Sequence, residues 1–373
     1  HLEVDIIKDT AKFDRQEELL VRLLEALFYA VSIEEVKDDA QILIKGICEH
    51  YVLLYFGKTM VEAQKFHRKF SVNNHEGKNA LNENTIFDAV SYALSSHNKE
   101  VHDAGIEAIK IIFNSCSTLL SSVETATKFM PIRRMCSKFV HCCFEEAYYS
   151  KLGGCIGLYT LINDLDIPVT YFSLRQIEIC RAMFFVLRDT PPDVPSEVCK
   201  VAKSIILKLL KDCNKEVSKN AVFQPQFQTI VSLIVLDLSN SNPIVRETSQ
   251  EALTILSEAT QVPISTMISP VKSILLAPIF GKPLRALPFH MQIGNIDAIR
   301  YCLSLENTFL EFNDELNRLL SEALALVDAD DESLISAHRM SEHKISEQLI
   351  KLRVVCIELL SLALTKQEFA SSN

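Results

Sequence analysis

Asn240-Ser-Asn-Pro-Ile-Val-Arg246 is the stretch of sequence that decides the fold, because it has the features of a turn followed by the start of a helix. Pro243 suits the first position of a helix, where its missing N–H group costs no hydrogen bond, and Asn242 can cap the free N–H groups. Apolar residues at helical spacing lie on both sides of the turn, which predicts a helical hairpin. These residues are Phe227, Ile230, Val231, Ile234, Val235 and Leu238 before the turn, and Val245, Ala252, Leu253, Leu256 and Ala259 after it.

The same pattern of paired amphipathic helices recurs along the chain. The hairpins follow one another at roughly 40 to 50 residues, which is the period of HEAT repeats. No segment of convincing length alternates with the period of a β-strand. The predicted fold class is therefore all-α, an α-solenoid of HEAT-like antiparallel helical hairpins. The other predicted helices cover residues 15–31, 36–56, 85–94, 101–112, 132–149, 155–162, 174–187, 196–210, 264–276, 291–305, 308–327 and 345–364.

The predicted domain organisation is one continuous HEAT-like solenoid segment over residues 1–373, with about seven helical hairpins. Two polar stretches, residues 71–84 and 328–343, are predicted to be surface loops. Gly153 and Gly154 are predicted to end a helix, and the prolines of residues 277–288 to interrupt one. Since the chain begins at His1 and not at Met, we expect a piece of a longer polypeptide.

Composition limits the classes of function. Because 48% of the 373 residues are hydrophobic and 23% are charged, the chain can bury a large core. The formal net charge of −10 argues against direct nucleic-acid binding, which needs an excess of Lys and Arg. No run approaches the ~20 apolar residues of a membrane span, so no membrane partner is expected. The eleven cysteines lie in apolar helices without disulfide-type spacing, which predicts a reducing compartment.

The strongest metal-like pattern is a cysteine and histidine cluster, Cys136, His141, Cys142 and Cys143. It lies within one apolar helix, whereas structural zinc sites usually take paired ligands from two loops. The glycine-rich residues 153–157 follow a predicted helix and lack the strand and the Lys of a phosphate-binding loop. We therefore predict no metal-binding residues, no cofactor-binding residues and no cofactor.

Polar residues elsewhere give no catalytic pattern. His338, Glu342 and His343 lie close in sequence, but no Ser or Cys nucleophile accompanies them in a recognisable elbow. No catalytic residue is predicted. The charged runs are interpreted as solvated surfaces first and as protein contacts second. These runs are residues 65–69, Arg133 and Arg134 with Lys138, and the acidic residues 328–332.

Four stretches carry a more specific signal: Leu152-Gly-Gly-Cys-Ile-Gly-Leu-Tyr-Thr-Leu-Ile162, Ala182-Met-Phe-Phe-Val-Leu187, Val245-Arg246 with the apolar residues after it, and Gln292-Ile-Gly-Asn295. In order and spacing they resemble the HEAT-repeat region of the transformation/transcription domain-associated protein family. The resemblance extends over roughly residues 88–326. Members of this family are very large pseudokinase scaffolds of SAGA-type histone acetyltransferase complexes.

The resemblance implies a nuclear, non-enzymatic scaffold segment of a transcription coactivator. Protein subunits of histone acetyltransferase complexes and acidic transcription activators are the implied partners. Members of the family carry a kinase-like domain that has no catalytic residues. This chain lacks that domain. No short family motif marks the partner surface, so no partner-binding residue is predicted.

Two alternatives come from other classes of protein. The first is an independent HEAT adaptor, such as a nuclear-transport receptor or a phosphatase scaffold subunit, and it predicts polar capping helices at both ends. The apolar helix at residues 15–31 and the end of the apolar pattern at Leu364 favour the scaffold segment. The second is a kinase fragment, which the absence of nucleotide-binding motifs disfavours.

Overall fold

The computed structural model describes residues 10–67, 85–191, 197–306, 309–335 and 342–372. In these ranges every regular element is a helix and no strand occurs. The prediction of an all-α chain is therefore confirmed for the described residues. They fall into two compact units, the first within His1–Val186 and Ser196–Ile205 and the second within Leu187–Pro195 and Ile206–Asn373.

The first unit is built from helical hairpins. Its helices in chain order are α1 (Thr10–Ala30), α2 (Lys37–His67), α3 (Thr85–Leu94), α4 (Lys99–Leu120), α5 (Val123–Lys128), α6 (Met130–Cys142), α7 (Tyr148–Asn163) and α8 (Val169–Ser173), with parts of α9 (Gln176–Asp189) and α10 (Glu197–Asn214). α1 packs on α3 and α2 packs on α4, so the first hairpin stacks on the second through both of its helices. α7 packs on α6 and also on α3.

The second unit contains the remaining helices. They are α11 (Pro225–Val235), α12 (Pro243–Thr260), α13 (Ile264–Ile268), α14 (Lys272–Phe280), α15 (Phe289–Ser304), α16 (Asp314–Asp328), α17 (Asp331–Ile335) and α18 (Glu342–Ser372), with 3₁₀ turns at Ala221–Phe223, Ser269–Val271 and Leu284–Ala286. α11 and α12 form the hairpin predicted around Pro243 and contact each other. The long α18 packs on α15 and α16.

The core of the predicted hairpin follows its helical period. In α12 the buried apolar residues are Val245, Ala252, Leu253 and Leu256, and in α11 they include Phe227, Ile230 and Ile234. Burying a side chain of this size contributes about 1.5 to 3 kcal/mol. Among the described helices no single one is long and apolar enough to cross a membrane. Among these helices only Pro243–Thr260 and Ile264–Phe280, taken together, have the length and apolar composition of a membrane span. The second is bent by 107° relative to the first.

Asparagine side chains set several helix starts. Asn242 adopts an extended conformation and its side chain accepts a hydrogen bond from the Ile244 N–H at 3.0 Å, with Pro243 in the first turn, as predicted. Asn98 caps α4 in the same way. Asn313 caps α16 by accepting from the Leu316 N–H at 2.9 Å, so α16 begins at Asp314 and the predicted start at residue 308 is wrong.

The two glycines predicted to end a helix lie inside one instead. α6 ends at Cys142 and α7 runs from Tyr148 to Asn163 through both of them. No glycine in the described residues has a positive φ, so the left-handed helix cap expected at Gly153 and Gly154 is absent there. A Cβ atom at Gly153 would lie 2.5 Å from the Ser91 carbonyl oxygen, and one at Gly154 would lie 2.6 Å from that of Phe139. These glycines therefore permit close helix packing.

The predicted loops have different outcomes. Residues 71–84 lie outside the described residues. Within 328–343 the loop prediction is wrong in part, because α17 occupies Asp331–Ile335 and α18 begins at Glu342. The Asp330 carboxylate accepts from the Ser333 N–H at 2.8 Å, which gives α17 a capped start that the acidic composition concealed. Pro278 lies inside α14, which ends at Phe280 and so extends into the predicted break at 277–288. The single continuous solenoid domain stays a prediction.

Candidate protein interface

Asn242 does more than cap a helix. Its side-chain amide also donates to the carbonyl oxygens of Leu187 at 3.2 Å and Thr190 at 3.3 Å. Asn242 is only 6% exposed, so all of its polar atoms are used in the interior of the second unit. The turn that decides the fold is thus also tied to the segment at the end of α9.

Arg246, the last residue of the same stretch, lies in a buried charge network. Its Nε donates to Asp297 on α15 at 3.0 Å, and its Nη1 donates to the carbonyl oxygen of Asn240 at 2.7 Å. Arg300 holds the other carboxylate oxygen of Asp297 at 2.6 Å. The side chains of Arg246 and Asp297 are 8% and 11% exposed. A buried pair with this many hydrogen bonds fixes the register of α12 on α15 and offers no free charge to a partner.

The Gln292-Ile-Gly-Asn295 motif has a structural role at the same place. A Cβ atom at Gly294 would lie 2.5 Å from the carbonyl oxygen of Ser239, so only glycine lets α15 approach the turn this closely. Gln292 is buried and its amide donates to the carbonyl oxygen of Leu287 at 2.7 Å. The motif therefore explains how the helices pack, and it forms no open site.

A second ion pair supports the same turn. Arg188, at the end of α9, donates to both carboxylate oxygens of Asp237, with Nε to Oδ1 at 2.8 Å and Nη2 to Oδ2 at 2.6 Å. The Asp237 side chain is 4% exposed. Asn240 also donates to Asp237 at 3.1 Å. Bidentate pairing of this kind gives geometric specificity to the contact between α9 and the turn.

The cysteine and histidine cluster does not assemble a metal site. Cys136, Cys142 and Cys143 are buried, whereas His141 is exposed on the other side of α6. Burial raises the pKa of Cys136 and that of Cys142 to about 11, so both thiols stay protonated at neutral pH. No group of three or more His, Cys, Asp or Glu could hold a metal ion within the part of the chain that the structure describes.

Two of the charged runs are paired in part with residues of the chain itself. Lys138 pairs with Asp88, and the Arg134 guanidinium lies 6.0 Å from the centre of the Tyr55 ring, so only Arg133 of that run is exposed. In the acidic run Asp331 pairs with Arg353 at 2.6 Å. The described part of the structure does not include the basic side chains of residues 65–69. It also does not include His338 or the side chains of Glu342 and His343.

Several described helices expose apolar faces that could contact partners. α1 exposes Leu19 and Leu23, each more than 60% accessible, and Ile42 and Leu43 are exposed on α2. Removing such groups from water is favourable, so contiguous exposed rows mark interaction surfaces. The sequence indicated that the helix at residues 15–31 is broadly apolar, but it did not show which of these side chains face solvent, because an apolar residue on an amphipathic helix is first assigned to the core. On α18 the exposed row is Ile350, Val354, Ile357 and Leu364.

Comparison with known proteins gives the family context. A sequence model of the Tra1 HEAT repeat ring region matches residues 1–373. The SAGA complex/NuA4 acetyltransferase complex subunit TRA1 of Saccharomyces cerevisiae is 39% identical over 361 residues, which are 96% of this chain and 10% of the relative. Subunit Tra1 of Schizosaccharomyces pombe is 30% identical over 95% of this chain and 10% of its own length.

More distant relatives have the same extent of match. The human Transformation/transcription domain-associated protein is 23% identical over 91% of this chain and 9% of its own length. The chain thus spans about one tenth of the length of the curated relatives it matches. The match supports the predicted resemblance and extends it beyond residues 88–326 to the whole chain.

Proposed function

This chain belongs to the family of the Tra1 HEAT repeat ring region, and from that membership we propose that it is a non-catalytic scaffold segment of a transcription coactivator subunit. Its fold class is an α-solenoid. The polypeptide that contains it would act in the nucleus, within a histone acetyltransferase complex. The segment would offer surfaces to neighbouring subunits and to acidic transcription activators. The kinase-like domain without catalytic residues would belong to the rest of that polypeptide.

The observation that carries the proposal is the division of roles between polar and apolar residues. The buried polar groups around Asn242 and Arg246 bond to one another and hold helices together. The outward face of α18 instead exposes a row of large apolar side chains, of which Ile350 and Leu364 are 61% and 62% accessible. This division is expected of a scaffold, because a scaffold needs a rigid interior and exposed apolar surfaces that bind other proteins.

The alternative of an independent HEAT adaptor, such as a nuclear-transport receptor or a phosphatase scaffold subunit, has less support. The relatives at 39% and 30% identity carry names of SAGA and NuA4 subunits, and neither name describes a transport receptor or a phosphatase. Proteins that share a HEAT architecture alone would not be expected to match over the whole chain at this identity.

The scaffold role is tested on the outward face of α18. The full-length polypeptide would carry Ile350→Gln with Leu364→Gln, and its complex would be purified through another subunit. We expect at least one subunit to be lost or the variant polypeptide to be under-represented severalfold. The matched control is Lys351→Gln with Thr365→Gln, at the adjacent exposed positions of the same helix. Full recovery of all subunits with both variants would contradict the use of this face.

The activator role needs a separate measurement. An acidic activation domain would be used to capture the full-length polypeptide, beside a charge-matched version that lacks its aromatic and leucine residues. We expect only the first to bind, because specific recognition needs apolar anchors as well as charge. Equal binding of both, or of neither, would argue against specific recognition.

A further inference from the structure

The turn between α6 and α7 in the first unit, taken here to include the first two residues of α7, exposes three aromatic side chains. Phe144 is 40% accessible, Tyr148 is 48% accessible and Tyr149 is 62% accessible. All three lie within six residues of sequence, next to Glu145 and Glu146. Tyr and Phe are enriched where proteins bind other proteins, because they bury a large area at a small entropic cost.

The turn is held in shape by a buried lysine. Lys151 is 4% exposed, and its Nζ donates to the carbonyl oxygens of Glu145 at 2.5 Å and Glu146 at 3.1 Å. The same ammonium group lies 5.9 Å from the centre of the Phe185 ring. The Phe144 ring packs against Phe185, with 5.0 Å between the two ring centres. Lys151 therefore fixes both the backbone of the turn and the position of its first aromatic residue.

This use of lysine is costly for the fold. Burying an ammonium group is unfavourable, and a cation in the first turns of a helix is also repelled by the helix dipole. Lys151 is the fourth residue of α7, and Ala147 before the helix supplies no side-chain cap. A rigid turn achieved at such a cost is explained if its conformation is needed for binding, since preorganisation raises affinity.

The charges of the turn indicate the chemistry of the partner. Among the described residues no ion pair or side-chain hydrogen bond involves the carboxylate of Glu145 or Glu146, and Lys151 binds their backbone carbonyl oxygens. Two unpaired carboxylates beside exposed tyrosine rings attract cations by charge and by cation–π contact. The chain's net charge of −10 adds to this attraction.

We propose that the turn between α6 and α7 is a docking site for a basic segment of a partner protein. Arginine or lysine side chains of that segment would lie over the Tyr148 and Tyr149 rings and pair with Glu145 and Glu146, whose negative charges would offset the repulsion of a cation by the N-terminal end of α7. The inference rests on the proposed scaffold function, since it names the chemistry of one partner surface. It differs from the proposed binding of acidic activators, which this turn would repel.

The test uses the full-length polypeptide in its complex. Tyr149 would be replaced by the photo-crosslinking residue p-benzoylphenylalanine, the complex irradiated, and the attached peptide sequenced. We expect attachment to one partner segment that has Arg or Lys within about three residues of the crosslink. In the Glu145→Lys/Glu146→Lys background the yield should fall at least fivefold, because the charge complementarity is reversed.

The chain offers a closely matched control. Glu34 and Glu35 form an exposed pair in the turn between α1 and α2 of the same unit, so Glu34→Lys/Glu35→Lys makes the same change of charge elsewhere. Its crosslink yield should equal that of the unchanged background. Equal loss with both charge reversals, attachment to an acidic or uncharged segment, or no attachment would overturn the proposal.

Two further measurements separate docking from folding and from assembly. Lys151→Met should lower both the crosslink yield and the thermal stability, whereas Tyr148→Ala should lower only the yield, because its ring is largely outside the core. If the crosslink yield falls only in variants whose thermal stability also falls, the proposal is overturned. Recovery of the polypeptide with the other subunits reports on the scaffold function. Its presence in the complex without crosslinking would reject the docking site alone, and its absence from the complex would reject the scaffold function.

Discussion

Gly294 and Gly46 both lie inside helices, but a side chain at these two positions would meet different surroundings. A Cβ atom at Gly294 would lie 2.5 Å and 2.8 Å from the carbonyl oxygens of Ser239 and Asn240, whereas one at Gly46 would have nothing within 4 Å. We expect Gly294→Ala to destabilise the chain by about 1 to 3 kcal/mol, because α15 would be pushed off a backbone that cannot yield. Urea denaturation followed by circular dichroism measures the change.

Gly46→Ala is the control for this prediction. At an exposed helix position the same substitution stabilises by about 1 kcal/mol, because alanine has the higher helix propensity. Opposite signs are therefore expected for one chemical change. A stabilising effect of Gly294→Ala would mean that α15 can move away from the turn without loss of packing.

Asn242 has two kinds of bond that can be separated by comparison with another cap. Asn313 only accepts from the Leu316 N–H, so Asn313→Ala should cost about 1 kcal/mol. Asn242→Ala should cost about 2 to 3 kcal/mol, because the carbonyls of Leu187 and Thr190 also lose a buried donor. Equal costs in urea denaturation would show that those two carbonyl contacts contribute nothing.

Between elements, the bond from Arg246 to Asp297 joins α12 to α15 in the interior of the second unit. Removing one partner leaves the other charge buried and unpaired. We therefore expect Asp297→Ala to destabilise the chain by about 3 to 5 kcal/mol, measured by urea denaturation. Arg300 also loses its partner, but it is partly exposed and can be solvated.

The double substitution distinguishes pairing from simple packing. Arg246→Met with Asp297→Leu removes both charges while keeping much of the volume, so it should cost less than Asp297→Ala alone. If the double variant is instead as unstable as the sum of the two single variants, the two side chains do not interact energetically.

At the scale of elements, sequence reasoning located helices better than their ends. The hairpin at Pro243 and its cap were predictable, because proline and asparagine act on their own backbone. The continuation of α7 through Gly153 and Gly154 was not predictable, since whether glycine ends a helix or lets another helix approach depends on contacts with Ser91 and Phe139 in other helices. The same holds for Arg246, whose partner Asp297 is 51 residues distant.

For the whole molecule, the fold class and the family were predictable from sequence, whereas the candidate interface was not. Helical period and the order of short motifs are properties of the chain itself. The shape of the exposed aromatic turn depends on the hydrogen bonds from Lys151 to the carbonyl oxygens of Glu145 and Glu146. Nothing in the sequence around Lys151 distinguishes this residue from a surface lysine. The exposed row of α18 likewise differs from its core row only by the packing of α15 and α16.

Buried thiols in both units are expected to lower the free energy of unfolding of the chain at alkaline pH. Burial raises the pKa of Cys48, Cys116, Cys302 and Cys356 to about 12, and that of Cys136 and Cys142 to about 11. An unfolded thiol ionises near pH 8.5 to 9, according to its usual pKa of about 8.5. Above that pH the unfolded state releases protons that the folded state keeps, so rising pH favours unfolding.

We therefore expect the urea midpoint of the 373-residue chain to be nearly constant between about pH 7 and 8 and to fall steadily between about pH 9 and 10. Each buried thiol contributes up to about 1.4 kcal/mol per pH unit in that window. Cys302→Ala should lower the stability at neutral pH, because it removes a buried side chain, but should make the alkaline decline shallower by the share of one thiol. A midpoint unchanged between about pH 8 and 10 would show that these thiols ionise equally in both states, and hence that water reaches them in the folded chain.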